Sequence, residues 1–196
     1  LIVKNGGSSQ SIGTAIASII QNNITFEDGT FDNYADMTAN TLLKNNEDAT
    51  LKNYSGATIT VENATNDGKI INYGTSDTNK GLITYKTNEA DSLLTNNGEI
   101  ENTGAIAITI KNTAGATVKN EGLYGTLAKV STNEEGGTII STASGLTDTV
   151  TNDGSVYLNN GTTGTQGDLI VTINSTNGTN NGSLYMKSSA ITTRPK

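Results

Sequence analysis

Short runs in which apolar and polar residues alternate are closed, again and again, by Asn and then Gly. Within residues 98–120 three such runs follow one another: Glu99-Ile100-Glu101, Ala105-Ile106-Ala107-Ile108-Thr109-Ile110 and Thr117-Val118-Lys119. Each ends at an Asn two residues past its last apolar side chain, at Asn102, Asn112 and Asn120, and Gly104, Gly115 and Gly122 supply the turns. A period of two marks a strand with one buried face. A unit of three such strands is too small to bury its own apolar face, so it needs a copy of itself above and below.

Copies are present. Asn-x-Gly-x-apolar begins at Asn66, Asn96, Asn152 and Asn180, with a degenerate form at Asn120, in steps of 30, 24, 32 and 28. A second series of longer runs, Thr58-Ile59-Thr60-Val61, Leu82-Ile83-Thr84-Tyr85, Ile106 to Ile110, Thr138-Ile139-Ile140 and Leu169 to Ile173, keeps the same order. Repeats of this length made only of strands indicate a β-solenoid. The fold class expected is all-β: a parallel β-helix over residues 49–189, preceded by a non-repeat cap or lead-in over residues 1–48 and followed by a tail or linker over 190–196. In the lead-in, Ser9 is placed to cap a helix whose Ile12, Ile16, Ile19 and Ile20 share one face, with strands as the alternative. Short strands with Gly-rich turns also suit an antiparallel sandwich; the constant strand order favours the solenoid.

Asn recurs because its amide tolerates corner conformations and carries both a donor and an acceptor, so that equal corners in stacked coils bond to one another. The ladder candidates are Asn53, Asn72 and Asn102 after the first strand type, Asn63 and Asn112 after the second, and Asn120 and Asn152 near the third. Tyr73, Tyr124, Tyr157 and Tyr185 follow repeat glycines and are placed to stack in the same way.

Composition agrees with a thin core. Hydrophobic residues make up 33% and aromatics 5%, which is low for a globular domain but enough for a core one or two side chains thick. The single Pro and the regular β-branched spacing separate the chain from disordered sequences of similar polarity. A net charge of −7, with the sole Arg at Arg194, disfavours nucleic acid and anionic lipid. No apolar run has the length of a membrane span. Without Cys no disulfide forms, and richness in Asn, Thr, Ser and Gly points to an extracellular setting. A chain opening on Leu1 is expected to be a processed or excised product.

Catalytic groups are scarce. The absence of His and Cys excludes a Ser–His–Asp triad, a Cys nucleophile and a His-ligated metal. Asp28, Asp32 and Asp36 stand four apart and Glu134 adjoins Glu135, yet neither set makes a recognisable acid pair. Neither calcium-loop pattern occurs, and the single acids at Asp67 and Asp153 make weak ligands. No cofactor and no metal are expected. Thr pairs such as Thr58/Thr60 do not recur in every repeat, as a flat ice-binding face would require.

The stretches Asn96-Asn97-Gly98-Glu99-Ile100-Glu101-Asn102-Thr103-Gly104 and Gly115-Ala116-Thr117-Val118-Lys119-Asn120-Glu121-Gly122 resemble the Asn-x-Gly-x-Ile-x-Asn units of the passenger regions of bacterial autotransporter adhesins, over residues 49–187. The resemblance implies a right-handed parallel β-helix, secretion through an outer-membrane barrel, and a role in adhesion or aggregation. The function expected is a non-enzymatic extracellular adhesin or stalk. Its partner would be a host or bacterial surface protein or glycan, or another copy, met through loops 75–80, 132–137 and 161–167. The alternatives are a self-assembling subunit of a surface filament or layer and, less compatibly with the scattered acids, a polysaccharide-acting β-helix enzyme.

Overall fold

A computed structural model describes residues 1–3, 11–120, 125–127, 130–142, 150–159, 171–173, 175–176, 179–180 and 183–186. The chain is a β-solenoid of about six turns in which parallel strands stack coil upon coil. Each coil passes through three strand columns in a fixed order. Column 1 holds residues 19–21, 37–39, 58–61, Leu82–Tyr85, Ala105–Ile106 and Thr126–Leu127. Column 2 holds residues 23–26, 42–45, 63–66, Leu93–Asn96, Thr109–Asn112, Val130–Asn133, Val150–Asn152 and Val171–Ile173. Column 3 holds residues 30–33, 50–53, Lys69–Asn72, Glu99–Asn102, Thr117–Asn120, Thr138–Thr142, Ser155–Asn159 and Ser183–Met186.

The alternation read in the sequence is the burial pattern. Lys69–Asn72, Glu99–Asn102 and Thr117–Asn120 each bury the second and fourth residues and turn the first and third outward. In column 3, Ile70, Ile100, Val118, Ile139 and Val156 are Cα partners in succession, and all are buried. Each such side chain contributes about 1.5–3 kcal/mol when removed from water. Columns 1 and 2 supply the facing residues, among them Met37, Ile59 and Ile83, and Leu43, Leu94 and Ile110, so one apolar core runs from Ala15 to Val156.

Two expectations change. Residues 19–48 are not outside the repeat. Ser11–Ala15 and Ile19–Asn33 are strands rather than a helix, and residues 19–33 pair in parallel with Met37–Asn53. The alternation there is interrupted by register shifts, which hid it. The coil is also shorter than the Asn-x-Gly spacing suggested. Successive ladder Asn residues stand 16 to 21 residues apart, except in one coil, where both ladders step by 30. The motif marks only one corner form, and Asn120 sits in column 3 while Asn66, Asn96 and Asn152 sit in column 2. Likewise Glu99–Asn102 and Thr117–Asn120 are one strand type in consecutive coils, not two.

Candidate functional site

The recurring Asn residues form two buried ladders. At the end of column 3, Asn33 Nδ2 donates to Asn53 Oδ1, Asn53 to Asn72, Asn72 to Asn102 and Asn102 to Asn120, at 2.7–2.8 Å; Asn120 then donates to Ser141 Oγ at 2.9 Å. At the end of column 2 the series is Asn45, Asn66, Asn96, Asn112, Asn133 and Asn152, again at 2.7–2.8 Å. All eleven Asn are at most 1% exposed.

Most of these amides do more than reach the next coil. Asn53 Nδ2 also donates to Ala57 O in its own corner and to Leu82 O in the following coil, at 3.2 and 3.3 Å. Asn45, Asn112 and Asn133 repeat this with Ala49, Ala116 and Gly137, and Asn96, Asn102 and Asn152 with Gly98, Gly104 and Gly154. The ladder Asn therefore closes its own corner and fixes the height of the next coil.

Corners come in two lengths. In the short form, Asn-x-Gly, a Cβ on Gly98 would lie 2.1 Å from Gly68 O, so the neighbouring coil excludes any side chain. In the long form three residues stand between the Asn and the small residue, and Gly115 takes φ +79° with open space around its Cα. Here the backbone conformation, not the neighbour, calls for Gly.

Of the proposed ladder residues, Asn53, Asn72, Asn102, Asn112, Asn120 and Asn152 lie in the ladders. Asn63 does not: it stands at the start of the column 2 strand, one position before Ala64, and is exposed. Asn33, Asn45, Asn66, Asn96 and Asn133 belong and were missed, although each is likewise the last residue of an alternating run. The ladders stop where Asn is replaced. Ala15 is the partner of Asn33 and Phe26 that of Asn45, and neither side chain has a donor. Asn33 Oδ1 and Asn45 Oδ1 are accordingly buried without a hydrogen bond.

The outer surface carries three further features. Tyr34, Tyr54 and Tyr73, each directly after a column 3 ladder Asn, stack with ring centroids 4.1 and 4.9 Å apart. Tyr73 was expected in such a stack; Tyr124 lies outside the described residues. Tyr54 Oη donates to Asp32 Oδ1 at 3.0 Å, and the Tyr34 hydroxyl, burial and Asp32 together raise its pKa. On the outer face of column 3, Lys69 bonds Glu101 at 2.8 Å and Lys119 bonds Glu99. Lys119, then Lys69, hold the Glu99 carboxyl below its ordinary range. An open polar recess of about 550 Å³ lies over the corners of columns 2 and 3, between Glu27, Glu47, Asp48, Asp67 and Lys44. Among the described residues no three acidic side chains converge as a metal site.

The coil after Tyr73 departs from the rod. Between Tyr73 and Gly81, residues 74–80 form an antiparallel hairpin of Gly74–Ser76 and Asn79–Lys80. The ladder closes beneath it, Asn72 Nδ2 donating to Gly81 O at 2.9 Å as Asn102 does to Gly104 O. After column 1 of the same coil, residues 86–92 loop out through a short 3-10 turn, Glu89–Asp91. The expected contact loop 75–80 is thus an insertion, whereas 132–137 contains an ordinary long corner closed by Asn133, and 161–167 lies outside the described residues. Comparison with family models, curated proteins and solved structures finds no match for the chain.

Proposed function

We propose that this chain is a non-enzymatic module of an extracellular surface protein, of the autotransporter adhesin kind, that holds a recognition coil out on a stiff β-solenoid. The observation that carries the reading is the coil containing residues 74–80 and 86–92. Both insertions leave the column pairing and the ladders intact, so they add projecting polar surface without serving the frame. The hairpin is held rather than loose. Lys80 O accepts from Gly56 N at 3.2 Å, and Gly74 N donates to Thr103 Oγ1 at 3.0 Å, clamping it between neighbouring coils. Ordered loops on a rigid scaffold are where binding residues concentrate. Thr75, Ser76, Thr78 and Asn79 offer hydroxyl and amide groups suited to a glycan or a polar protein surface.

The test compares the chain with a variant lacking residues 74–80, in which Tyr73 joins Gly81 as Thr103 joins Gly104. Both are applied to arrays of host and bacterial surface glycans and to intact cells. Binding by the parent that is lost in the variant, at unchanged melting temperature, supports the reading. Equal binding by both, or cleavage of a polysaccharide by the parent, refutes it.

A further inference from the structure

The outer corner after column 3 brings three phenols into one line. Tyr34, Tyr54 and Tyr73 donate their backbone N–H to Ala15 O, Asn33 O and Asn53 O of the preceding coil at 2.8–2.9 Å, so each corner is pinned where its ring begins. Tyr34 and Tyr54 are the tighter pair. Their rings lie 4.1 Å apart and 14° from parallel, against 4.9 Å and 22° for Tyr54 and Tyr73. Tyr34 is 51% exposed, while Tyr54 and Tyr73 are half-buried. The Tyr34 hydroxyl lies beside that of Tyr54, whose O–H donates to Asp32 Oδ1 at 3.0 Å. Near-parallel rings with their hydroxyls together set the ortho carbons of one phenol against those of the other.

We propose that Tyr34 and Tyr54 are a site of oxidative cross-linking, at which a peroxide-driven one-electron oxidant joins them as dityrosine and Asp32 receives the Tyr54 proton. Each phenol gives up one electron and its hydroxyl proton. Tyr34, open to solvent, meets the oxidant and loses its proton to water. Tyr54 releases its electron across the stacked ring and its proton to Asp32, a base already within hydrogen-bond reach. The two radicals pair to form one carbon–carbon bond between positions ortho to the hydroxyls. The hydrogen on each bonded carbon then leaves as a proton and each phenolic oxygen takes one up, which restores both phenols. The two electrons and two protons removed in all reduce one hydrogen peroxide to two waters. The link spans the same 20-residue step as the Asn33–Asn53 bond, at the start of the column 3 ladder, where Asn33 Oδ1 has no donor from the coil before. A covalent closure of this kind stabilises chiefly by restricting the unfolded chain.

The test treats dilute protein with a peroxidase and one equivalent of hydrogen peroxide. Lys44 and Lys52 lie between the two tyrosines, so trypsin separates Tyr34 from Tyr54 unless they are joined. The parent and Tyr73→Phe should each give a monomer lighter by two hydrogens, with dityrosine fluorescence and a tryptic pair linked through Tyr34 and Tyr54. Tyr34→Phe and Tyr54→Phe should lack that product. Asp32→Asn keeps an acceptor for the Tyr54 hydroxyl but not a base, and should form the same link about tenfold more slowly. The proposal is overturned if only intermolecular products form, if the link within the monomer maps to another pair, if Tyr54→Phe gives as much monomeric dityrosine as the parent, or if Asp32→Asn reacts as fast.

Discussion

Replacing a mid-ladder Asn should cost far more than replacing the Asn at the ladder's start, although both are fully buried. In Asn96→Ala, Asn112 Oδ1 loses the donor it has at 2.8 Å and becomes a buried, unpaired acceptor. Asn66 Nδ2 loses its 2.7 Å acceptor and keeps only Glu99 O, while Gly98 O and Thr117 O each lose a donor. A stranded buried acceptor costs about 1–3 kcal/mol and each ordinary bond about 1, so the total is about 3 kcal/mol. In Asn33→Ala the stranded acceptor only moves. Asn33 Oδ1, already unpaired, disappears, and Asn53 Oδ1 takes its place. One bond is lost and the number of unpaired groups is unchanged, for about 1 kcal/mol. Asn63→Ala removes an exposed amide and should stay within about 0.5 kcal/mol of the parent. Urea unfolding followed by circular dichroism ranks the three through their midpoints, a 3 kcal/mol loss corresponding to roughly 1 M. Equal losses for Asn33→Ala and Asn96→Ala, or a large one for Asn63→Ala, would sink the reasoning.

Other outcomes follow from the corners and the outer surface. Gly98→Ala, forced against Gly68 O, should lose about 3 kcal/mol, whereas Gly115→Ala meets only left-handed strain of about 1–2 kcal/mol; thermal melts separate them. Deleting residues 74–80 should leave the melting temperature within a few degrees of the parent, because the remaining Asn72-Tyr73-Gly81 corner has the form of Asn102-Thr103-Gly104. Tyr54 should ionise above the ordinary phenol value of 10.0, seen as a tyrosinate absorbance step in the parent that Tyr54→Phe lacks. Its raised pKa means that its stabilising effect is full below pH 10 and fades as pH climbs through the folded value. Glu99 has the opposite sign. Its lowered pKa makes the ion-pair contribution present above its unfolded value of 4.5 and lost as pH falls through the folded one. Glu99→Gln should therefore be less stable than the parent at neutral pH, by under about 1 kcal/mol for so exposed a pair, and equal to it in acid.

The architecture was legible because its cause is local. An alternating tetrad ending in Asn, such as Lys69-Ile70-Ile71-Asn72, states which side chains are buried and which amide closes the corner. Coil length was not legible, because it depends on which Asn faces which. Asn96 pairs with Asn112 across 16 residues and with Asn66 across 30, and only contact between coils distinguishes these spacings. The Asn-x-Gly motif misled for a related reason. It reports where a neighbouring carbonyl presses on a corner, not where a coil begins. Asn63 looked like Asn66 from its neighbours alone; its column places it one step out of phase with Ala64, and a one-residue step turns a side chain to the other face. The lead-in was misread because Phe26 and Ala15 stand where Asn would have signalled the repeat.

Those same two residues explain how the frame and the recognising surface divide the chain. All the ladder amides donate toward later coils, so each coil's height is set by the Asn before it and not by the length of its corners. An insertion between Tyr73 and Gly81 then displaces nothing, since Asn72 still reaches Gly81 O and Asn102. Where the donor is missing, at Ala15 and Phe26, apolar packing takes over: Phe26 and Phe31 sit 4.8 Å apart, both buried. Coils before Asn33 are thus joined without an Asn ladder among the described residues. Corners beyond it tolerate elaboration because the ladder carries the alignment. Surface variation should accordingly collect at corners in the laddered part.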